Sequence, residues 1–206
     1  MTELKTDQEK AEEIKKWWKE NGTSVIAGVA LAIAGIFGWQ QWKNHQNASS
    51  EEASALYAKI SKNIDTEALS TLKRDYSSSP YATLAALATA KHAAEKDNDA
   101  LAITELSWVV DNTADQNLKE IAQTRLIRLY ISLKQPEKAA AQLANTFSTA
   151  YTSLVEELKG DLLALQNKPK EAAKAYQKAI LSNSNIPNAT PPRYLKMKLD
   201  NLNTGA

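Results

Sequence analysis

Two hundred and six residues carry 25 Lys and Arg against 24 Asp and Glu, a net charge of +1, with 33 alanines, 6 glycines, 6 prolines and no cysteine. That length builds one core of useful size, and the alanine-rich, turn-poor mix suits helix packed on helix, so an all-α fold is expected. Balanced charge argues against a nucleic-acid partner, which would call for a basic face or domain, and the missing cysteines exclude disulfides, thiol nucleophiles and iron–sulfur clusters.

Residues 1–22 form a polar leader with Lys5, Lys10, Lys15, Lys16 and Lys19 among six acidic side chains. From Thr23 to Trp42 no charge occurs, and Val25–Trp39 reads VIAGVALAIAGIFGW. Twenty helical residues span about 30 Å, the thickness of a bilayer's hydrocarbon core. Trp17 and Trp18 precede this segment and Trp39 and Trp42 close it, at the depth where amphipathic rings meet lipid headgroups. The segment is therefore expected to be a transmembrane helix in the bilayer. A cleavable signal peptide is the rival reading, but the leader is long and acidic and no small-x-small site directly follows Trp39. A buried core helix would need neither polar flanks nor paired tryptophans. Lysines before the span outnumber those just after it, which predicts a cytoplasmic N-terminus and residues 43–206 on the other side. Ala30, Ala34 and Gly38 recur at every fourth position, a stripe that would admit another transmembrane helix closely.

Beyond the span, helical periodicity is broken by short polar joints. Helices are expected at 50–63, 66–76, 80–95, 99–111, 117–133, 136–146, 151–165 and 169–181, with Pro80, Pro136 and Pro169 at helix starts. Aligning Pro136 with Pro169 brings Ala139 onto Ala172, and Ala102 fills the same role in an earlier copy. In the last copy Gly160, Ala172, Tyr176 and Ala179 stand where a tetratricopeptide repeat places Gly, Ala, an aromatic and Ala. Small residues let paired helices approach, and the aromatic fills the gap to the next pair. The usual early Trp is replaced by Glu156, and the other copies lack the glycine. Residues 43–206 therefore read as a degenerate tetratricopeptide-like solenoid, a scaffold with a concave surface suited to peptides or helices. The tail predicts a Pro-interrupted loop at 183–192 and a closing helix at 193–202.

Chemistry is sparse. His45 and His92 lack metal-site or catalytic partners at helical spacing and read as a juxtamembrane and a helix-surface residue. Asp97-Asn98-Asp99 starts like a calcium loop, yet Ala102 replaces the turn glycine, so Asp99 is expected to cap a helix. Glu12-Glu13, Glu51-Glu52 and Glu156-Glu157 are expected on solvated faces, because adjacent helical residues diverge by about 100°. Arg125, Arg128 and Trp108 read as packing or ion-pairing residues, with a ligand-facing patch as the alternative. No catalytic residue, cofactor or metal is assigned, and the chain is expected not to be an enzyme.

The order of leader, anchor and repeats resembles the YfgM family, the ancillary SecYEG translocon subunits of Gram-negative inner membranes. The resemblance is carried by DQEKAEEIKKWWKENG (Asp7–Gly22), GWQQWKNHQ (Gly38–Gln46), YATLAALATA (Tyr81–Ala90), NLKEIAQTRLIRLYISLKQPEKAA (Asn117–Ala140), LKGDLLAL (Leu158–Leu165) and MKLDNL (Met197–Leu202). It implies a single-span inner-membrane protein whose repeats lie in the periplasm beside the Sec exit. The implied partners are the SecYEG translocon, a membrane-anchored chaperone of the PpiD type, and unfolded or emerging exported proteins. A repeat-containing assembly subunit of another envelope complex remains the alternative that the sequence leaves open.

Overall fold

From Asp7 to Lys62 the chain is one helix, α1, in the computed structural model, which describes residues 7–184 and 193–204. The sequence predicts a separate helix from residue 50, and the difference has a simple cause. Between Trp39 and Lys62 stands no Gly or Pro to interrupt the ladder, and Gln40 donates to Asn44 one turn on (3.2 Å). The chain divides into two units, Met1–Glu52 and Ala53–Ala206. In the first, all residues of α1 from 26 to 48 are exposed.

The second unit begins with the last turns of α1 and continues through α2 (Thr66–Asp75), α3 (Pro80–Glu95), α4 (Asp99–Asn112), α5 (Gln116–Ser132) and α6 (Pro136–Leu143). A short 3₁₀ turn (Thr149–Tyr151) leads to α7 (Thr152–Leu165), α8 (Pro169–Ser184) and α9 (Arg193–Thr204). Among the described residues there is no strand. From residue 185 on, the expected Pro-interrupted loop lies outside the described residues.

Local chemistry fixes most of the boundaries. Asp65 Oδ1 accepts from the Glu67 and Ala68 amides, and Asp115 Oδ1 from those of Asn117 and Leu118. At α4 the cap is Asn98, whose side chain accepts from Leu101 N at 3.2 Å. The sequence assigns that role to Asp99, which instead sits inside the first turn, where its charge faces the helix's positive end.

Helices α3, α5 and α7 all end in the same way. Asp97, Lys134 and Asn167 adopt φ of 56, 54 and 57°, the left-handed conformation, without a glycine among them. The next amide then reaches back five residues, Asn98 to Ala93 O, Gln135 to Tyr130 O and Lys168 to Leu163 O, while the left-handed residue's own amide bonds three residues back. These are three Schellman closures. Their separations match those between Ala102, Ala139 and Ala172, so the repeat is written in the turns as well as in the small residues.

Helix α6 is shorter than its periodicity predicts. Ser148 donates through both N (2.9 Å) and Oγ (2.7 Å) to the carboxylate of Glu120 on α5, which draws the chain out of helical register. Glu120 is buried, which pushes its carboxyl up, but donors from Gln116 and Ser148 outweigh this and hold it below its ordinary value.

In the stack α3 packs on α4, α4 on α5, α5 on α6 and α7, α7 on α8, and α8 on α9. Ala53, Ile60, Leu69 and Leu72 meet Ala82 and Ala85 at one end. Leu106, Val109, Leu126, Ile127, Leu158 and Leu162 fill the middle. Burying side chains such as Leu126, Ile127 and Leu158 contributes roughly 1.5–3 kcal/mol each. At the far end Leu195 of α9 seals Ala172, Tyr176 and Ala179 of α8, so the closing helix covers a face that a further repeat would otherwise cover.

Candidate membrane anchor and binding surfaces

The apolar stretch of α1 is the segment among the described residues that is long and apolar enough to cross a bilayer. Ile26, Val29, Leu31, Ile33, Ile36 and Phe37 are all at least half exposed, a display that water would penalise and lipid would not. Aromatic pairs bracket them, with ring centroids 6.5 Å apart for Trp17 and Trp18 and 5.0 Å for Trp39 and Trp42. Ala30, Ala34 and Gly38 are exposed on the same helix, and the space a Gly38 Cβ would enter is open.

In the repeat unit Ala102, Ala139, Ala172 and Ala179 are each fully inaccessible. Gly160 on α7 faces the Tyr176 ring of α8, and a Cβ built there would lie 2.5 Å from Cδ1 and 3.0 Å from Cζ. The ring can approach so closely only because position 160 has no side chain. Tyr176 donates its hydroxyl to Asp161 Oδ1 (2.7 Å), and burial, reinforced by that carboxylate, pushes its phenol far up.

Glu156 and Glu157 correct the expectation of a solvated face. They are 7% and 5% exposed, each turned to a different neighbouring helix. Glu156 Oε1 accepts from Lys159 on its own helix and from Lys178 of α8, both at 2.9 Å. Burial pushes its carboxyl up, but the two ammonium groups together pull it further down, below the ordinary carboxylate value. Glu157 accepts from Tyr194 (3.0 Å) and Lys198 (2.8 Å) of α9. Lys198 also bonds both oxygens of Asp161 at 2.7 Å. Burial lowers the Lys198 ammonium, and the hydrogen bonds to Asp161 and Glu157 more than reverse this, so its value rises. The 100° divergence of adjacent residues is real. In a solenoid, however, both flanks of α7 are covered, and partners 22 and 41 residues away leave no local signal.

Trp108 packs against both the first and the middle core cluster, with Lys73 Nζ 5.2 Å from its ring centre, so its role is packing. Arg125 and Arg128 do not share it. Both are exposed and line an open groove of about 590 Å³ between α3, α4 and α5. Ala90, Ala102 and Leu106 form its floor, with Ala94 and Leu129 on its walls and Lys91 and Glu95 at its edge. The sequence marks the two arginines by their i,i+3 spacing, but gives no sign that Ala94 and Leu129 share their groove. His45 and His92 are exposed. Among the described residues no three metal-ligating side chains gather.

Helix pairs recurring around buried small residues, joined by matching turns, define a tetratricopeptide-like helical-repeat protein. The tetratricopeptide repeat-like domain family matches residues 15–204. Three relatives carry the name ancillary SecYEG translocon subunit. That of Neisseria gonorrhoeae is 31% identical, covering 95% of this chain and 97% of its own. The Haemophilus influenzae protein is 28% identical over 95% and 97%, and the Escherichia coli protein 26% over 95% and 96%. The chain belongs to the family of ancillary SecYEG translocon subunits. No solved structure matches it significantly.

Proposed function

We propose that this chain is a membrane-tethered, protein-binding scaffold that associates with the SecYEG translocon and assists the handover or folding of exported proteins. Residues 1–22 lie in the cytoplasm, residues 23–42 cross the inner membrane, and residues 43–206 stand in the periplasm. The lysine excess before the span supports this orientation. A PpiD-type anchored chaperone and emerging polypeptides are the partners, and the repeat stack provides the docking surface. The packing of Ala102, Ala139, Gly160, Ala172, Tyr176 and Ala179 keeps that surface in shape. Tethering raises effective concentration at the exit site, so weak individual contacts suffice.

The observation that carries the reading is similarity over 95% of the chain to proteins named ancillary SecYEG translocon subunit. The experiment is co-purification of the intact chain from its own membranes in mild detergent, with mass spectrometry of what remains bound. SecYEG together with the anchored chaperone is the expected result. Recovery of a different envelope assembly without SecYEG would overturn the reading.

A further inference from the structure

We propose that the groove between α3, α4 and α5 is a docking site for an acidic, aliphatic segment of another polypeptide. The inference rests on the protein-binding reading above and specifies the surface and the chemistry it selects. Charge complementarity over an apolar floor selects such an occupant. Alanine and leucine side chains line the bottom, so an occupant must bring aliphatic groups to gain from displacing water. Arg125 and Arg128 stand one turn apart on α5, both exposed, and neither forms an ion pair with a described residue. The other charges at the groove, Lys91 and Glu95, face each other at 3.7 Å and offset one another. The groove therefore carries two uncompensated guanidinium groups, whose planar forks suit carboxylates better than any other side chain.

A segment with a carboxylate every turn, or at alternate extended positions, would meet the arginines while its aliphatic side chains rest between Ala94 and Leu129. The groove is open to solvent, which suits a polypeptide segment better than a small molecule that needs enclosure.

The test uses the full chain in phosphatidylcholine nanodiscs and a short fluorescein-labelled peptide of Leu, Ala and Asp, compared with its Asn counterpart by anisotropy. The Asp peptide should bind about tenfold more tightly at low salt, as expected for two partly exposed charge contacts, and the advantage should shrink as NaCl is raised. Arg125→Gln with Arg128→Gln should erase the difference, and Ala94→Trp, at an exposed α3 position, should weaken both peptides by filling the groove. Equal binding of the two peptides, tighter binding of a Lys counterpart, insensitivity to the double arginine variant, or displacement of the Asp peptide by oleate would each overturn the proposal. SecYEG recovery with the same variants is measured in parallel. Absence of SecYEG from the unaltered chain sinks the translocon reading, whereas the peptide outcomes bear on the groove alone.

Discussion

Adding one methyl group at Gly160 sets two known energies against each other. Gly160 lies in the interior of α7, where alanine is favoured over glycine by about 1 kcal/mol, so helix propensity alone predicts stabilisation. The methyl, however, would enter the face of the Tyr176 ring, at 2.5 Å from Cδ1. That ring cannot swing aside freely. It is 3% exposed, its hydroxyl is held by Asp161 at 2.7 Å, and Leu195 of α9 packs in the same cluster. Overpacking of this kind costs about 1–3 kcal/mol, and shifting the ring would also weaken a hydrogen bond worth about 1–1.5 kcal/mol. Repulsion exceeds propensity, so Gly160→Ala should destabilise by about 1–3 kcal/mol, a fall in Tm of roughly 2–10 °C in a unit of this size.

The assay is thermal unfolding followed by circular dichroism on the intact chain in detergent, with Gly160→Ala, Tyr176→Leu and the double variant in one cycle. Tyr176→Leu removes the obstacle and should itself be costly, because the ring fills the gap between α7, α8 and α9. In its presence Gly160→Ala should turn neutral or stabilising, so the two sites should couple by about 2 kcal/mol. If Gly160→Ala raises Tm equally with and without Tyr176→Leu, the close approach of ring and glycine is not what keeps position 160 small.

Four further outcomes follow from the same geometry. Lys134 holds φ of 54° with an ordinary Cβ, so Lys134→Gly should stabilise by about 1 kcal/mol, and more than Asn167→Gly, in the same melts. Ala172→Trp should overpack the α7–α8 crossing by about 1–3 kcal/mol or more, and an unchanged Tm would place Ala172 elsewhere than at the crossing. The Glu156 carboxyl is lower in the fold than its ordinary value near 4.5, so its stabilising share is full above that pH and is lost as pH falls through the folded value. Glu156→Gln should therefore flatten part of the acid limb of a stability–pH curve, with Glu120 supplying another part. In the anchor, Ala34→Leu with Gly38→Leu should lower SecYEG recovery while helicity is unchanged, and undiminished recovery would remove the stripe from that role.

The legible parts of this fold were those written in short-range chemistry. Helix starts at Pro80, Pro136 and Pro169, the spacing of Ala102, Ala139 and Ala172, and the polar–apolar contrast around Thr23–Trp42 all act within a few residues of themselves. What stayed hidden depends on neighbours that the chain brings in from afar. The Schellman turns carry Asp97, Lys134 and Asn167 where glycine would have announced them, and Lys134 has no intrinsic liking for that conformation, so the packing of successive helices must hold it there. Glu120 cuts α6 short through Ser148, 28 residues away, and no periodicity within 136–146 records that pull.

Glu156 makes the same point about function. A tetratricopeptide repeat usually seats a tryptophan at that place, and here a carboxylate sits buried in it, compensated by Lys159 and Lys178. Removing both lysines would leave a buried charge without compensation, and Lys178 ties the pairing of α7 with α8 to sequence on both helices. Alongside it, Glu157 and Asp161 bind α9 through Lys198, which makes the end of the stack a matter of charge as well as of Leu195. Carboxylates that read as surface decoration in one dimension thus close the solenoid in three. Arg125 and Arg128, which read as packing or surface ion-pairing residues with a ligand-facing patch as the alternative, are exposed on α5 and line the groove. With the α7 carboxylates matched by Lys159, Lys178 and Lys198, the charge contrast on which the proposed preference for acidic segments rests is that of Arg125 and Arg128 over the apolar groove.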